Sequence, residues 1–145
     1  MIRRADEIWM YSYSSEEYHS TQRLKPERRG IFRTVQRRDR FVAAEAPYER
    51  EATLVSRPLV FSGRQLVLNI DTHASGWAQI GLRKADGSAI PGFGVDECIY
   101  VNGNELNYPV EWLARGKDVS SLAGQTVQVV VRMRGANLYS LQFTP

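Results

Sequence analysis

Val127-Gln128-Val129-Val130-Val131-Arg132-Met133-Arg134 decides the fold class. Val127, Val129, Val131 and Met133 alternate with Gln128, Val130, Arg132 and Arg134, so one face is set for a core and the other for a wetter surface. Gln65-Leu66-Val67-Leu68-Asn69-Ile70-Asp71 repeats the period, with Leu66, Leu68 and Ile70 in phase. Working outward, further strands are expected over Trp77–Lys84, Glu97–Val101, Pro109–Trp112 and Leu138–Phe143, and one over Thr53–Phe61 that breaks at Pro58. Asp86-Gly87 and Asn102-Gly103 read as hairpin turns, because both residue types tolerate positive φ. The single helical signal is Asp118-Val119-Ser120-Ser121-Leu122-Ala123-Gly124. Asp118 or Ser120 would cap one turn there, and Val119 and Leu122 would plug an end of the core. The expected fold is all-β: an antiparallel, jelly-roll-like β-sandwich over residues 51–145.

Residues 1–50 read differently. Glu7-Ile8-Trp9-Met10-Tyr11-Ser12-Tyr13 is an aromatic-rich strand, residues 14–29 lose all periodicity, and Gly30–Val35 and Arg40–Ala43 are two more short strands around a polar Arg37-Arg38-Asp39-Arg40 turn. Three short strands bury too little apolar surface to fold alone. This hairpin-like extension must therefore pack on the sandwich, on another chain or on a larger body.

Composition narrows the function classes. The chain has 145 residues, 43% hydrophobic and 24% charged, as in an ordinary soluble domain. No apolar run approaches the roughly 20 residues that span a bilayer, so no membrane partner is expected. The charged N-terminus lacks a signal-peptide core, which places the chain as it stands in the cytoplasm, with the periplasm or secretion open to a longer parent. Arg23–Arg40 carries eight basic residues (Arg23, Lys25, Arg28, Arg29, Arg33, Arg37, Arg38 and Arg40). Arg33, Arg37 and Arg38 lie among Ile31, Phe32 and Val35, with no RNA-binding aromatic motif. That favours a salt-bridged sheet face or an interface over nucleic acid.

Chemistry-bearing residues are sparse. Cys98 is the single cysteine, in a strand-like run, and reads as a buried structural thiol. Asp96 and Glu97 are adjacent and would diverge on a strand; Glu111 has no partner by spacing; Asp71 and His73 form a plausible hydrogen-bonded pair. Two distant histidines, His19 and His73, argue against zinc. Asp86-Gly87-Ser88 and Asn102-Gly103-Asn104-Glu105 are oxygen-rich but need no calcium to turn. The sequence implies no cofactor, no metal and no catalytic residue. Trp9, Tyr11, Tyr13, Trp77, Tyr100, Tyr108, Trp112 and Tyr139 are the remaining handle. Trp77, Tyr108 and Trp112 are the candidates for a carbohydrate-stacking platform, Trp77 the most readily surface-exposed.

Several runs in order carry a resemblance: Arg57 to Ile70, Asp86-Gly87-Ser88-Ala89-Ile90-Pro91-Gly92-Phe93 ahead of Val95-Asp96-Glu97-Cys98, Asp118 to Val127, and Ala136-Asn137-Leu138-Tyr139-Ser140-Leu141-Gln142-Phe143. Together they resemble the C-terminal β-sandwich of bacterial glycoside-hydrolase-like proteins in which a five-bladed β-propeller of the family 32/43 superfamily comes first. Glu7–Tyr13 resembles a blade strand, and Gly30–Val42 the closing strands of a last blade. The resemblance implies that residues 1–50 are a blade remnant and that the chain is a non-catalytic accessory domain. The catalytic carboxylates would then lie on blades outside this chain. Its expected partner is the upstream propeller or, in isolation, a second copy in a homodimer or strand swap. The alternatives are an independent carbohydrate-binding module or, less favoured, a glycosidase with a cleft joining Glu111, Asp96 or Asp71 with His73.

Overall fold

A computed structural model describes residues 1–15 and 29–145. It divides into two compact units, residues 1–40 and 41–145. Most of the loop expected at 14–29, with Arg23, Lys25, Arg28 and His19, lies outside the described residues.

The first unit is a three-stranded antiparallel meander of β1 (Ile2–Arg4), β2 (Glu7–Ser15) and β3 (Arg29–Arg37), in that order. β1 was not expected, because its Ile-Arg-Arg sequence is short and charged. Arg40–Ala43 does not form a strand. The chain bends there after Asp39, whose φ of 59° is in the left-handed region, and Arg38 donates its backbone N–H to Asp6 at 2.8 Å. Residues opposite one another across antiparallel strands share a face. Ile2 opposes Trp9, Trp9 opposes Val35, Tyr11 opposes Arg33 and Tyr13 opposes Ile31, so these seven side chains lie on one face.

The second unit is a β-sandwich. One sheet contains β10 (Thr126–Arg134) at its centre, paired on one side with β8 (Trp77–Lys84). On its other side lie two collinear pieces, β5 (Ala52–Val55) and β6 (Leu59–Val60). The break between β5 and β6 falls at Pro58, as expected. Ser56 spans it, donating its N–H to Val129 O and accepting the Val129 N–H on Oγ, each at 2.9 Å. The other sheet has the order β4 (Ala44–Ala46), β11 (Ala136–Thr144), β7 (Gln65–Asp71), β9 (Asn104–Pro109). Ala44 to Ala52, with Pro47 inside, reads in the sequence as a connector; β4 makes its start an edge of the sandwich.

From β6 onward, every connection passes from one sheet to the other. β10 and β11 are separated by Gly135 alone. It turns the corner at φ 55°, and a Cβ there would collide with the Tyr48 ring at 2.4 Å. Leu66, Leu68 and Ile70 of β7 meet Ile80 and Leu82 of β8 and Val127, Val129, Val131 and Met133 of β10 in one buried cluster.

Two local expectations are corrected. Asp86-Gly87 does close a tight turn, with Lys84 N–H bonded to Ser88 O at 2.9 Å. Asn102-Gly103 instead carries the chain between sheets: the Gly103 N–H donates to Thr72 Oγ1 and Asn102 Nδ2 to Gly76 O. Glu97–Val101 and Pro109–Trp112 are not strands. A 3₁₀ turn at Val95–Glu97 leads to isolated bridges from Cys98 to Trp112 and from Ala78 to Val101. The helical signal is a 3₁₀ turn at Ser120–Leu122, with the Ser120 N–H on Asp118 Oδ1 at 2.9 Å and Val119 and Leu122 buried.

Candidate functional site

Trp77 opens β8 on the side facing away from the core, since Ala78, Ile80 and Leu82 take the core side. It is half-buried. Tyr100, 55% exposed, meets it edge-on at 5.4 Å between ring centroids. The Arg132 guanidinium lies 6.0 Å from the Trp77 ring and donates to Asp96 Oδ1 and Gln79 Oε1, both at 2.6 Å. The buried Gln79 in turn donates to Cys98 O at 3.0 Å. Arg134, opposite Trp77, donates to Tyr48 O. The sandwich thus presents an aromatic pair beside a hydrogen-bonded chain of Asp96, Arg132 and Gln79.

The other two platform candidates do not join it. Trp112 is fully buried, with its Nε1–H on Ile80 O at 2.9 Å and its ring edge-on to Phe93 at 5.4 Å, so no face is left for a sugar. Tyr108 sits on β9 in the opposite sheet from Trp77 and packs against the core. It lines a shallow depression with Ile99, Pro109, Glu111 and Lys117. The sequence could not separate these cases, because an aromatic next to a strand end reads alike whether it is a core pillar or a surface plate.

The carboxylates are dispersed. Asp96 and Glu97 do diverge, but from a 3₁₀ turn: Asp96 reaches Arg132, while Glu97 folds back to accept the Gly94 N–H at 2.8 Å. Glu111 lies 3.9 Å from Lys117. Asp71 and His73 do meet, through the backbone. The His73 N–H donates to Asp71 Oδ1 at 2.9 Å, with Asn104 Nδ2 on the second carboxylate oxygen at 2.7 Å. His73 is held at φ 51° and its ring Nε2 is 3.3 Å from Asn137 Nδ2. This arrangement closes the β7–β8 turn. Cys98 is buried, and burial pushes its thiol up to about 11, so it stays protonated at neutral pH. Asp86 binds the Ser88 N–H at 2.9 Å, and Ser88 holds its carboxyl below the ordinary value. Among the described residues, no three His, Cys, Asp or Glu side chains come together as a metal site. No helix of the described residues is long and apolar enough to cross a membrane.

The 1–40 sheet carries a group of exposed apolar residues on one face. Ile2, Tyr11, Tyr13, Ile31 and Val35, all on one face, are between 45% and 77% exposed. Trp9 lies among them, with the guanidinium groups of Arg4 and Arg33 over its ring at 4.7 and 4.2 Å. Arg4 and Arg33 thereby make cation–π contacts on this face. The sequence flagged the aromatic strand; the register brought Ile31, Arg33 and Val35 to its face.

No family model matches the chain, and no curated protein or solved structure is significantly similar to it.

Proposed function

We propose that the chain is a non-catalytic accessory β-sandwich of a glycoside-hydrolase-like protein, docked through its 1–40 sheet on an upstream β-propeller. The supporting observation is the exposed face of that sheet, with Ile2, Tyr11, Tyr13, Ile31 and Val35 around Trp9. Propeller blades are four-stranded sheets arranged around a central channel. A three-stranded meander with one apolar face is short of one strand and of a neighbouring blade. β3, nine residues long and at the sheet edge, is where that strand would add. Without a propeller, a second copy of the chain takes the same edge.

The test is the coding sequence upstream of Met1, followed by capture. A propeller encoded there should be retained by the wild-type chain and lost by the double variant Tyr13→Lys, Ile31→Lys. Equal retention by both, or turnover of aryl glycosides by this chain alone, would refute the reading.

The Trp77–Tyr100 pair favours a second reading, an independent carbohydrate-binding module. Neutral oligosaccharides at millimolar concentration should then perturb Trp77 fluorescence, and Trp77→Ala should abolish the response. No wild-type response would dismiss this reading.

A further inference from the structure

A cleft of about 460 Å³ opens at the surface of the sandwich, lined by Arg64, Gln65, Arg115, Lys117, Asp118 and Pro145. Its size lies within the roughly 300–1,000 Å³ of small-molecule pockets. Three cations from two distant stretches of chain converge on it, with one carboxylate and one amide as the other polar side chains.

The cations are positioned by the fold. Arg64 is pinned through its backbone, its N–H on Thr144 O and its carbonyl accepting the Val119 N–H. Its guanidinium lies 3.6 Å from Asp118. Lys117 lies 3.9 Å from Glu111. Arg115 is held differently. Its guanidinium stands 5.5 Å from the Phe93 ring and reaches Pro91 O at 3.5 Å. It passes over Gly92, where a Cβ would come within 2.6 Å of Arg115 Nε. Among the described residues, Arg115 has no acidic partner within ion-pair distance. An exposed guanidinium beside a ring and a carbonyl, without a carboxylate of its own, is open to a planar oxyanion, which it can bind through two parallel N–H bonds.

The rest of the lining defines what the anion is attached to. Asp118 remains ionised because the Ser120 N–H bonds to it and holds its carboxyl below the ordinary value. An ionised carboxylate repels a second negative group and accepts hydrogen bonds from hydroxyls. Gln65 offers both a donor and an acceptor. We infer that this cleft binds a small hydroxylated carboxylic acid of the hexuronate type, its carboxylate on Arg115 and Lys117 and its hydroxyls toward Asp118 and Gln65. The site is independent of the 1–40 sheet and of Trp77, so its failure leaves the proposed function standing.

The probe is galacturonate, titrated into the whole chain at low salt and followed by calorimetry or amide chemical shifts, with galactose and inorganic sulfate as parallel arms. Galacturonate should bind at least tenfold more tightly than either and weaken as salt is added. Arg115→Gln should reduce the affinity tenfold or more, Arg115→Lys should restore part of it, and Trp77→Ala should leave it unchanged. The Arg115 variants are exposed-site changes, and unaltered circular dichroism identifies them as folded. Equal binding of galactose, sulfate binding as tight as galacturonate, no measurable galacturonate binding, or an Arg115→Gln variant of wild-type affinity would each overturn the inference.

Discussion

Replacing Trp112 by Phe separates a core pillar from a binding plate. The indole is fully buried, and its Nε1–H is bonded to Ile80 O at 2.9 Å. Phenylalanine keeps an aromatic ring against Phe93 but leaves the Ile80 carbonyl without that donor, which costs about 1–3 kcal/mol. The smaller ring also gives up about 1 kcal/mol of burial and contacts. The sum is about 3 kcal/mol, a substantial share of the roughly 5–15 kcal/mol by which domains are stable. For a chain of this length that corresponds to a melting point lower by roughly 6–12 °C. Urea unfolding followed by circular dichroism gives the free energy, and calorimetry gives the temperature. An unchanged denaturant slope would show that the compactness of the two end states is unaltered. A loss below about 1 kcal/mol would refute the reasoning, because it would mean that the indole is neither buried nor bonded to Ile80.

Two further perturbations probe the turn and the thiol. Asp118 Oδ1 accepts the Ser120 N–H where the Ser120–Leu122 turn begins, and that bond holds its carboxyl below the ordinary value of 3.8. The stabilisation is therefore fully present above the unfolded value and is lost as pH falls through the folded one. Melting curves of wild type and Asp118→Ala should differ by a constant amount above about pH 5 and converge in stronger acid; a gap that widens on acidification would contradict that bond. The Cys98 thiol, raised from 9.0 to about 11, should react with iodoacetamide about a hundredfold more slowly in the folded chain at neutral pH than after unfolding. Equal rates would contradict its burial.

How much of this was legible in the sequence follows from what each segment pairs with. β10 and β11 show in the residues, because a strand with one buried face writes a period of two. β7 and β8 show through Leu66, Leu68 and Ile70 and through Ala78, Ile80 and Leu82 in phase, although the wetter face expected for β7 is buried too, at Val67 and Asn69. The Pro58 break and the turn after Asp118 are equally local, and both were readable, although the N-cap position falls to Val119 and Asp118 only accepts the Ser120 N–H. β9 was not: Asn104-Glu105-Leu106-Asn107-Tyr108-Pro109 has no β-branched residue and is a strand because β7 offers it an edge. Cys98-Ile99-Tyr100-Val101 has strand composition yet makes single bridges, since the chain is passing between sheets there. For the same reason Asn102-Gly103 turns between layers where a hairpin was expected. The cleft was illegible, because only the crossing topology brings Arg64 beside Arg115 and Lys117. The apolar face of the 1–40 sheet was half legible: the aromatics of β2 announce it, but the β3 register completes it.

Sedimentation velocity of the isolated chain, over a concentration series up to the highest attainable, tests the docking face most directly. Reversible self-association of the wild type and a monomer for Tyr13→Lys, Ile31→Lys are the expected results. A wild-type chain that stays a clean monomer at high concentration, or a double variant that associates as strongly as the wild type, would contradict it.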